Sequence, residues 1–147
     1  MFVKGIRIPG SGDARAPVRG HPEVVTLRCL IVDDSELFLE GASALLAREG
    51  VDVVGVAANS AEAVRLVEEL GPDVTLVDID LGGESGFDLA LQLSRNGGVH
   101  SDVILISTHA ERDLAQLIEA SPALGFVSKA RFSARAISDI LGCAADS

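Results

Sequence analysis

Apolar residues along this chain come in short runs, and the runs alternate with stretches of helical spacing. The first run, Leu27 to Val32, ends on Asp33-Asp34. A short apolar run of this kind predicts a strand buried on both faces. Ser35 then stands at a helix N-cap position. Phe38, Ala42, Leu45, Leu46 and Glu49 follow at helical spacing, so the pattern predicts a helix over 35–48, stopped by Gly50. Val51 to Ala58 reads as the second strand. Asn59 and Glu62 have capping-box spacing, and Val64, Leu66, Val67 and Leu70 make a second helix closed by Gly71-Pro72. The third strand, 73–78, runs through Val74, Thr75, Leu76 and Val77 and ends on Asp78. A loop with Gly82, Gly83 and Gly86 follows. The third helix spans Phe87 to Ser94 and is closed by Asn96-Gly97-Gly98. Val103 to Ser107 is a strand, Glu111 to Ala120 a helix, Leu124 to Ser128 a short strand ending at Lys129, and Ser133 to Leu141 a helix. Five strand-helix units in succession predict a parallel sheet covered on both faces, with right-handed crossovers.

Residues 1–26 do not share this pattern. Gly5, Gly10, Gly12 and Gly20 alternate with Pro9, Pro17 and Pro22 and scattered Arg, which predicts a flexible extension. A regulatory arm and a start codon assigned too far upstream are the alternatives. The expected organisation is a flexible segment 1–26, one domain over 27–142 and a short tail 143–147.

Composition narrows the picture. The chain has 147 residues, enough for one domain with a real core, and 48% are hydrophobic. With five Phe and no Trp or Tyr, that core must be aliphatic. The formal charge is −10, divided into +3 over residues 1–28 and −13 over 29–147. An acidic domain argues against nucleic-acid binding, which needs a basic face. It fits a cation site, although acidic surface also serves solubility. Cys29 lies in an apolar run and reads as a buried thiol. Cys143 is near the C-terminal end, and neither belongs to a disulfide framework or a zinc site, so a cytoplasmic location is expected. No run reaches the roughly 18 apolar residues of a membrane span, so no membrane partner is expected. The first residues hold no apolar signal region.

The chemistry emerges when the strand ends are considered together. In a parallel sheet all strands present their C-terminal ends at one edge, and ligand sites lie outside that edge. Asp33 and Asp34 end the first strand, Asp78 the third, Ser107 and Thr108 the fourth, and Lys129 the fifth. Taken singly, each has a bland role: Asp78 caps a turn, Asp33-Asp34 cap a helix, Lys129 is solvated. Together they place three carboxylates, a hydroxyl and an ammonium on one rim. Clustered carboxylates repel one another unless a cation sits among them, and an all-oxygen set suits Mg²⁺.

On these residues the chain resembles the receiver domain of bacterial two-component response regulators. Asp33-Asp34, Asp78, Ser107 and Lys129 match the family's pattern over about residues 27–142, and Phe126, three residues before Lys129, matches its aromatic switch position. The resemblance implies a flavodoxin-like (β/α)5 fold, doubly wound, with strand order 2-1-3-4-5. It implies that Asp78 accepts a phosphoryl group from a sensor histidine kinase, a phosphotransfer protein or a small phosphodonor. Asp34 and Asp78 would ligate Mg²⁺, with Asp33 acting mainly through water and the Asp80 backbone carbonyl as a further ligand. Lys129 and the Ser107 hydroxyl would contact the phosphoryl oxygens. Ser107 and Phe126 would switch the surface of the fourth helix, fifth strand and fifth helix, which meets a protein partner. The expected product is a signalling switch rather than a stand-alone enzyme, a monomer or a phosphorylation-linked dimer.

Several positions depart from the family's pattern. Gly82 and Ala130 stand where the family often has Pro, and Phe126 lacks the hydroxyl of the commoner Tyr. A cis bond without proline costs about 3 kcal/mol, so Lys129-Ala130 is expected to be trans. Thr108 is bulkier than the family's usual residue, and the resemblance implies that Asp80 and His109 occupy positions that tune dephosphorylation in that family. No basic recognition helix is present, which points to a stand-alone receiver or a piece of a longer regulator. Phe126 could also be plain core. Two other readings stay open: a receiver-like binding module that is never phosphorylated, and a phosphatase, because Asp78-Ile79-Asp80 resembles the DxD motif of haloacid dehalogenase-type enzymes.

Overall fold

The computed structural model describes residues 2–3, 26–95, 101–108 and 111–145. The strands are β1 (Phe2–Val3), β2 (Arg28–Val32), β3 (Asp52–Ala57), β4 (Val74–Asp78), β5 (Asp102–Ser107) and β6 (Gly125–Ser128). The helices are α1 (Glu36–Arg48), α2 (Ser60–Leu70), α3 (Gly86–Ser94), α4 (Glu111–Ala120) and α5 (Ala134–Ala145). They build one sheet in the order β1-β6-β5-β4-β2-β3. Strands β2 to β6 are all parallel. Counted alone, these five stand in the expected order 2-1-3-4-5.

The sixth strand was not expected. Phe2 and Val3 pair antiparallel with β6, Phe2 opposite Phe126 and Val3 opposite Gly125. Phe2 and Val3 thus form a strand inside the segment expected to be a flexible extension. The physical reason is that β6 ends the parallel sheet and leaves a row of backbone donors and acceptors open to any extended segment. Residues 4–25 lie outside the described residues.

Helix boundaries follow local chemistry. The Ser35 hydroxyl accepts from the Phe38 amide at 3.2 Å and starts α1. Asn59 Oδ1 accepts from the Glu62 amide at 2.9 Å, while Glu62 Oε1 accepts from the amide of Ala58 at 2.8 Å, so the capping box is displaced by one residue on its return arm. Gly71 closes α2 in the left-handed conformation, at φ 55°. The Arg28 guanidinium then donates to the carbonyls of Leu70 and Gly71, 2.8 Å each, satisfying groups the helix leaves open. Helix α5 continues to Ala145, past Leu141 and into the segment expected as a tail. Gly142 costs the helix about 1 kcal/mol relative to Ala but does not end it, and Ala144 and Ala145 favour its continuation. Lys129–Arg131 form a 3-10 turn, with the Ser128 hydroxyl accepting from the Ala130 amide at 3.1 Å. No peptide bond among the described residues is cis, so Lys129-Ala130 is trans, as expected.

The core has two halves, one on each face of the sheet. Strand residues alternate between them: Leu30, Val32, Val77, Leu105 and Phe126 face one side, Cys29, Ile31, Leu76, Ile104 and Val127 the other. Helices α2, α3 and α4 cover the first through Val67, Leu89 and Ile118. Helices α1 and α5 cover the second through Leu39, Leu46, Ile137 and Ile140. Each fully buried Leu or Ile contributes about 1.5–3 kcal/mol. Cys29 is a buried free thiol, and burial pushes its pKa up to about 12. No helix among the described residues is long and apolar enough to cross a membrane. With both faces covered by helices, the two buried carboxylates, Asp33 and Asp78, lie at the sheet's C-terminal rim.

Candidate functional site

Asp33 follows β2 directly and is fully buried. Its Oδ1 accepts from the Ser35 amide at 2.9 Å, so the turn that starts α1 also orients this carboxylate. Its Oδ2 lies 2.6 Å from the Lys129 ammonium as an ion pair but forms no directed hydrogen bond. Asp34 is exposed beside it. Asp78, the last residue of β4, is 6% exposed. Its Oδ1 accepts from the Asp80 amide at 3.2 Å, and its Oδ2 from Lys129 at 3.2 Å. Asp33, Asp34 and Asp78 each offer an oxygen within 4.8 Å of the others.

Ser107 ends β5 and is buried. It lies one residue past Ile106, which pairs with Asp78 across the ladder. The structure thus gathers Asp33, Asp34, Asp78, Ser107 and Lys129 at one rim. Thr108 is exposed next to Ser107, and His109 lies outside the described residues. Asp80 stays on the loop, where its Oδ1 accepts from the Gly82 amide at 3.2 Å. Phe126 is fully buried, packed into the half of the core covered by α2, α3 and α4.

The electrostatics are those of a site short of positive charge. Burial and the neighbouring Asp33 raise the pKa of Asp78 above its ordinary 3.8, and the Asp80 amide and Lys129 only partly oppose them. Burial works against the Lys129 ammonium too. The close contact with Asp33, and the charge and hydrogen bond of Asp78, outweigh it and hold Lys129 above its ordinary 10.5. One ammonium therefore serves two buried carboxylates with a third beside them. A buried carboxylate oxygen without a directed donor, in a cluster of oxygens at bridging distance, fits a hard divalent cation.

Two glycines shape the rim. Gly82 has φ 63°, a left-handed conformation closed to proline, and a Cβ there would stand 2.6 Å from Asp34 Oδ2. The departure from proline is thus a requirement of this loop. Gly82→Ala is expected to cost about 1 kcal/mol in backbone conformation and to turn the Asp34 carboxylate. Weaker divalent-cation binding, with wild-type secondary structure, is the result to look for in an Mg²⁺ titration followed by NMR. Gly86 packs against the Asp78 backbone, and its amide donates to the Ile79 carbonyl at 2.7 Å.

Some participants were not singled out from sequence. Phe38 was read only as part of an apolar stripe, yet its ring lies 4.3 Å from the Lys129 ammonium. Glu84 carried no signal at all, yet its Oε1 accepts from the Ser60 amide at 2.8 Å and ties the acidic loop to the start of α2. Both contacts join residues far apart in the chain, so spacing alone could not find them.

Comparison with known proteins agrees with the geometry. The model of the response regulator receiver domain matches residues 29–141. The nitrate/nitrite response regulator protein NarP of Escherichia coli is 36% identical over 100 residues, covering 67% of this chain and 46% of NarP. The transcriptional regulatory protein LiaR of Bacillus subtilis is 34% identical over 104 residues, covering 70% and 49%. This chain therefore spans about half the length of the curated relatives it matches. Among solved structures, the signal receiver domain of a NarL response regulator from Mycobacterium tuberculosis superposes with a TM-score of 0.70 at 31% identity, covering 82% of this chain and 98% of that one. With the strand order, the acidic rim and the family match in agreement, this chain belongs to the response regulator receiver domain family of two-component systems.

Proposed function

We propose that the chain is a phosphoryl-accepting switch and that Asp78 is the acceptor. The observation that carries this reading is the position of the Asp78 carboxylate. It ends a fully buried strand, between a second acidic pair and the only lysine among the described residues. Asp33, Asp34, Asp78 and the Asp80 carbonyl would hold Mg²⁺, which supplies positive charge to the transferring phosphoryl group. An Asp78 oxygen attacks phosphorus as the P–N bond of a phosphohistidine breaks, and the leaving imidazole takes a proton from solvent. Such transfer depends on positioning and charge neutralisation more than on covalent chemistry by the protein. Lys129 already contacts Asp78 Oδ2, so its ammonium needs little movement to meet a phosphoryl oxygen. The Ser107 hydroxyl donates to another.

The output follows from the same contacts. Drawing Ser107 toward the phosphoryl group frees space beside β6, and Phe126 in its buried position fills the side toward α4. The surface of α4, β6 and α5 then differs between the two states and is read by a protein partner. The donor is a sensor histidine kinase or a phosphotransfer protein, in the cytoplasm, which suits the buried free thiol of Cys29.

Incubation with Mg²⁺ and acetyl phosphate tests this directly. Intact mass should rise by one phosphoryl group, borohydride reduction should place it on the peptide holding Asp78, and EDTA should prevent it. Failure to gain the group from acetyl phosphate or from any kinase would sink the reading. Steady turnover of a phosphate ester would replace it with the phosphatase alternative.

A further inference from the structure

Lys129 is held from three sides, and only two of them are acidic. The third is aromatic. Its ammonium stands 4.3 Å from the centroid of the Phe38 ring, above the ring face. Phe38 is half-buried in the first turn of α1, where the Ser35 hydroxyl accepts its amide proton. Its ring meets that of Phe132 edge to face, with centroids 5.4 Å apart at 69°. Phe132 follows the 3-10 turn that begins at Lys129. The two rings therefore span from α1 to the segment that carries the lysine.

We propose that Phe38 is a positioning residue for Lys129, holding the ammonium at the acidic rim by a cation–π contact. This deepens the phosphoryl-transfer reading and rests on it. A ring face attracts the ammonium without occupying a hydrogen-bond acceptor. All three N–H donors thus stay available for carboxylate or phosphoryl oxygens. The ring also covers the ammonium on a side where water would otherwise compete. The Phe132 edge fixes the tilt of Phe38, so the lysine meets a preset surface. An aliphatic side chain of similar bulk would keep the packing of α1 but lose the attraction.

The test separates that attraction from bulk. Ring-current shielding should move the Lys129 ε-methylene signals upfield in the intact chain, and Phe38→Leu should abolish the shift. With acetyl phosphate and Mg²⁺, Phe38→Leu should take up the phosphoryl group about 3- to 10-fold more slowly, and Phe38→Tyr should restore the rate. Mono-, di- and trifluorinated phenylalanine at position 38 should slow uptake stepwise, because fluorine drains the ring face without changing its packing. Absence of the upfield shift in the wild type would overturn the proposal whatever the phosphoryl chemistry does. A normal shift combined with unchanged uptake across the Leu and fluorinated variants would overturn it as well. If the wild type takes up no phosphoryl group, the transfer reading has failed. The lysine then decides this proposal alone: its ε-methylene must become more mobile in Phe38→Leu, and equal mobility refutes the clamp.

Discussion

Asp78→Asn is expected to make the fold more stable while abolishing phosphoryl uptake. The loss is complete because an amide oxygen cannot form the acyl phosphate. The gain follows from the crowding of charge. Burial and Asp33 raise the pKa of Asp78, so the ionised carboxylate is disfavoured in the folded state relative to the unfolded chain. Asparagine keeps the shape, and its oxygen can still accept from the Asp80 amide. Lys129 is not stranded, because Asp33 Oδ2 remains 2.6 Å away. The variant should therefore be the more stable near neutral pH in the absence of divalent cations. Its pH dependence has a defined sign. A carboxylate with a raised folded pKa binds its proton more tightly when folded, so the wild type recovers stability as pH falls through that value toward 3.8. The advantage of the variant is therefore full at about pH 7 and shrinks in acid. Urea unfolding at both pH values, with and without Mg²⁺, measures it. Added Mg²⁺ should narrow the gap by favouring the wild type. A variant that is less stable at neutral pH without Mg²⁺ would mean that the lysine contact outweighs the repulsion.

The same cluster shows why some of this protein can be read from sequence and some cannot. Asp33, Asp34, Asp78, Ser107 and Lys129 could be placed together because each ends an apolar run, and a parallel sheet aligns such ends without any knowledge of side-chain contacts. The alternation of runs likewise carried the parallel sheet and the helix count, whereas the strand order came only with the family resemblance. Features that depend on long-range fit were invisible. A two-residue strand at Phe2–Val3 has no periodicity to detect, and its pairing depends on an edge that exists only once β6 is in place. The meeting of Phe38 with Lys129 and Phe132 joins three segments whose mutual placement follows only from packing. The end of α5 was missed because the apolar spacing stops at Leu141, while Ala144 and Ala145 carry the helix past Gly142. Gly82 was recognised as a departure from proline, but only its positive φ and the nearness of Asp34 explain why glycine is needed there.

Gly86→Ala should be the most damaging single methyl group on the acidic side of the sheet. Nothing about its φ demands glycine, since it is absent from the positive-φ residues. The demand is steric. A Cβ at this position would overlap the Asp78 carbonyl and stand 2.8 Å from Ile79 Cα. Both obstacles are backbone, so no rotamer can relieve them. Either α3 must move off the sheet or the end of β4 must shift. Moving α3 disturbs Leu89, Ala90 and Leu93, which are buried against the sheet. Shifting β4 carries Asp78 away from Lys129 and stretches the 2.7 Å bond between the Gly86 amide and the Ile79 carbonyl. Overpacking of this kind costs about 1–3 kcal/mol, and the rigidity of the obstacle favours the upper end. The urea midpoint should fall accordingly. Phosphoryl uptake should slow even in the fraction that remains folded, because a displacement of about 1 Å at a reacting group costs roughly a hundredfold. Gly83→Ala provides the contrast. That glycine also lies in the loop, at φ 102°, but a Cβ there meets nothing within 4 Å, so its cost is confined to the backbone conformation. If the two variants lose equal stability and equal uptake, close packing of Gly86 against Asp78 is not what holds the acceptor in place.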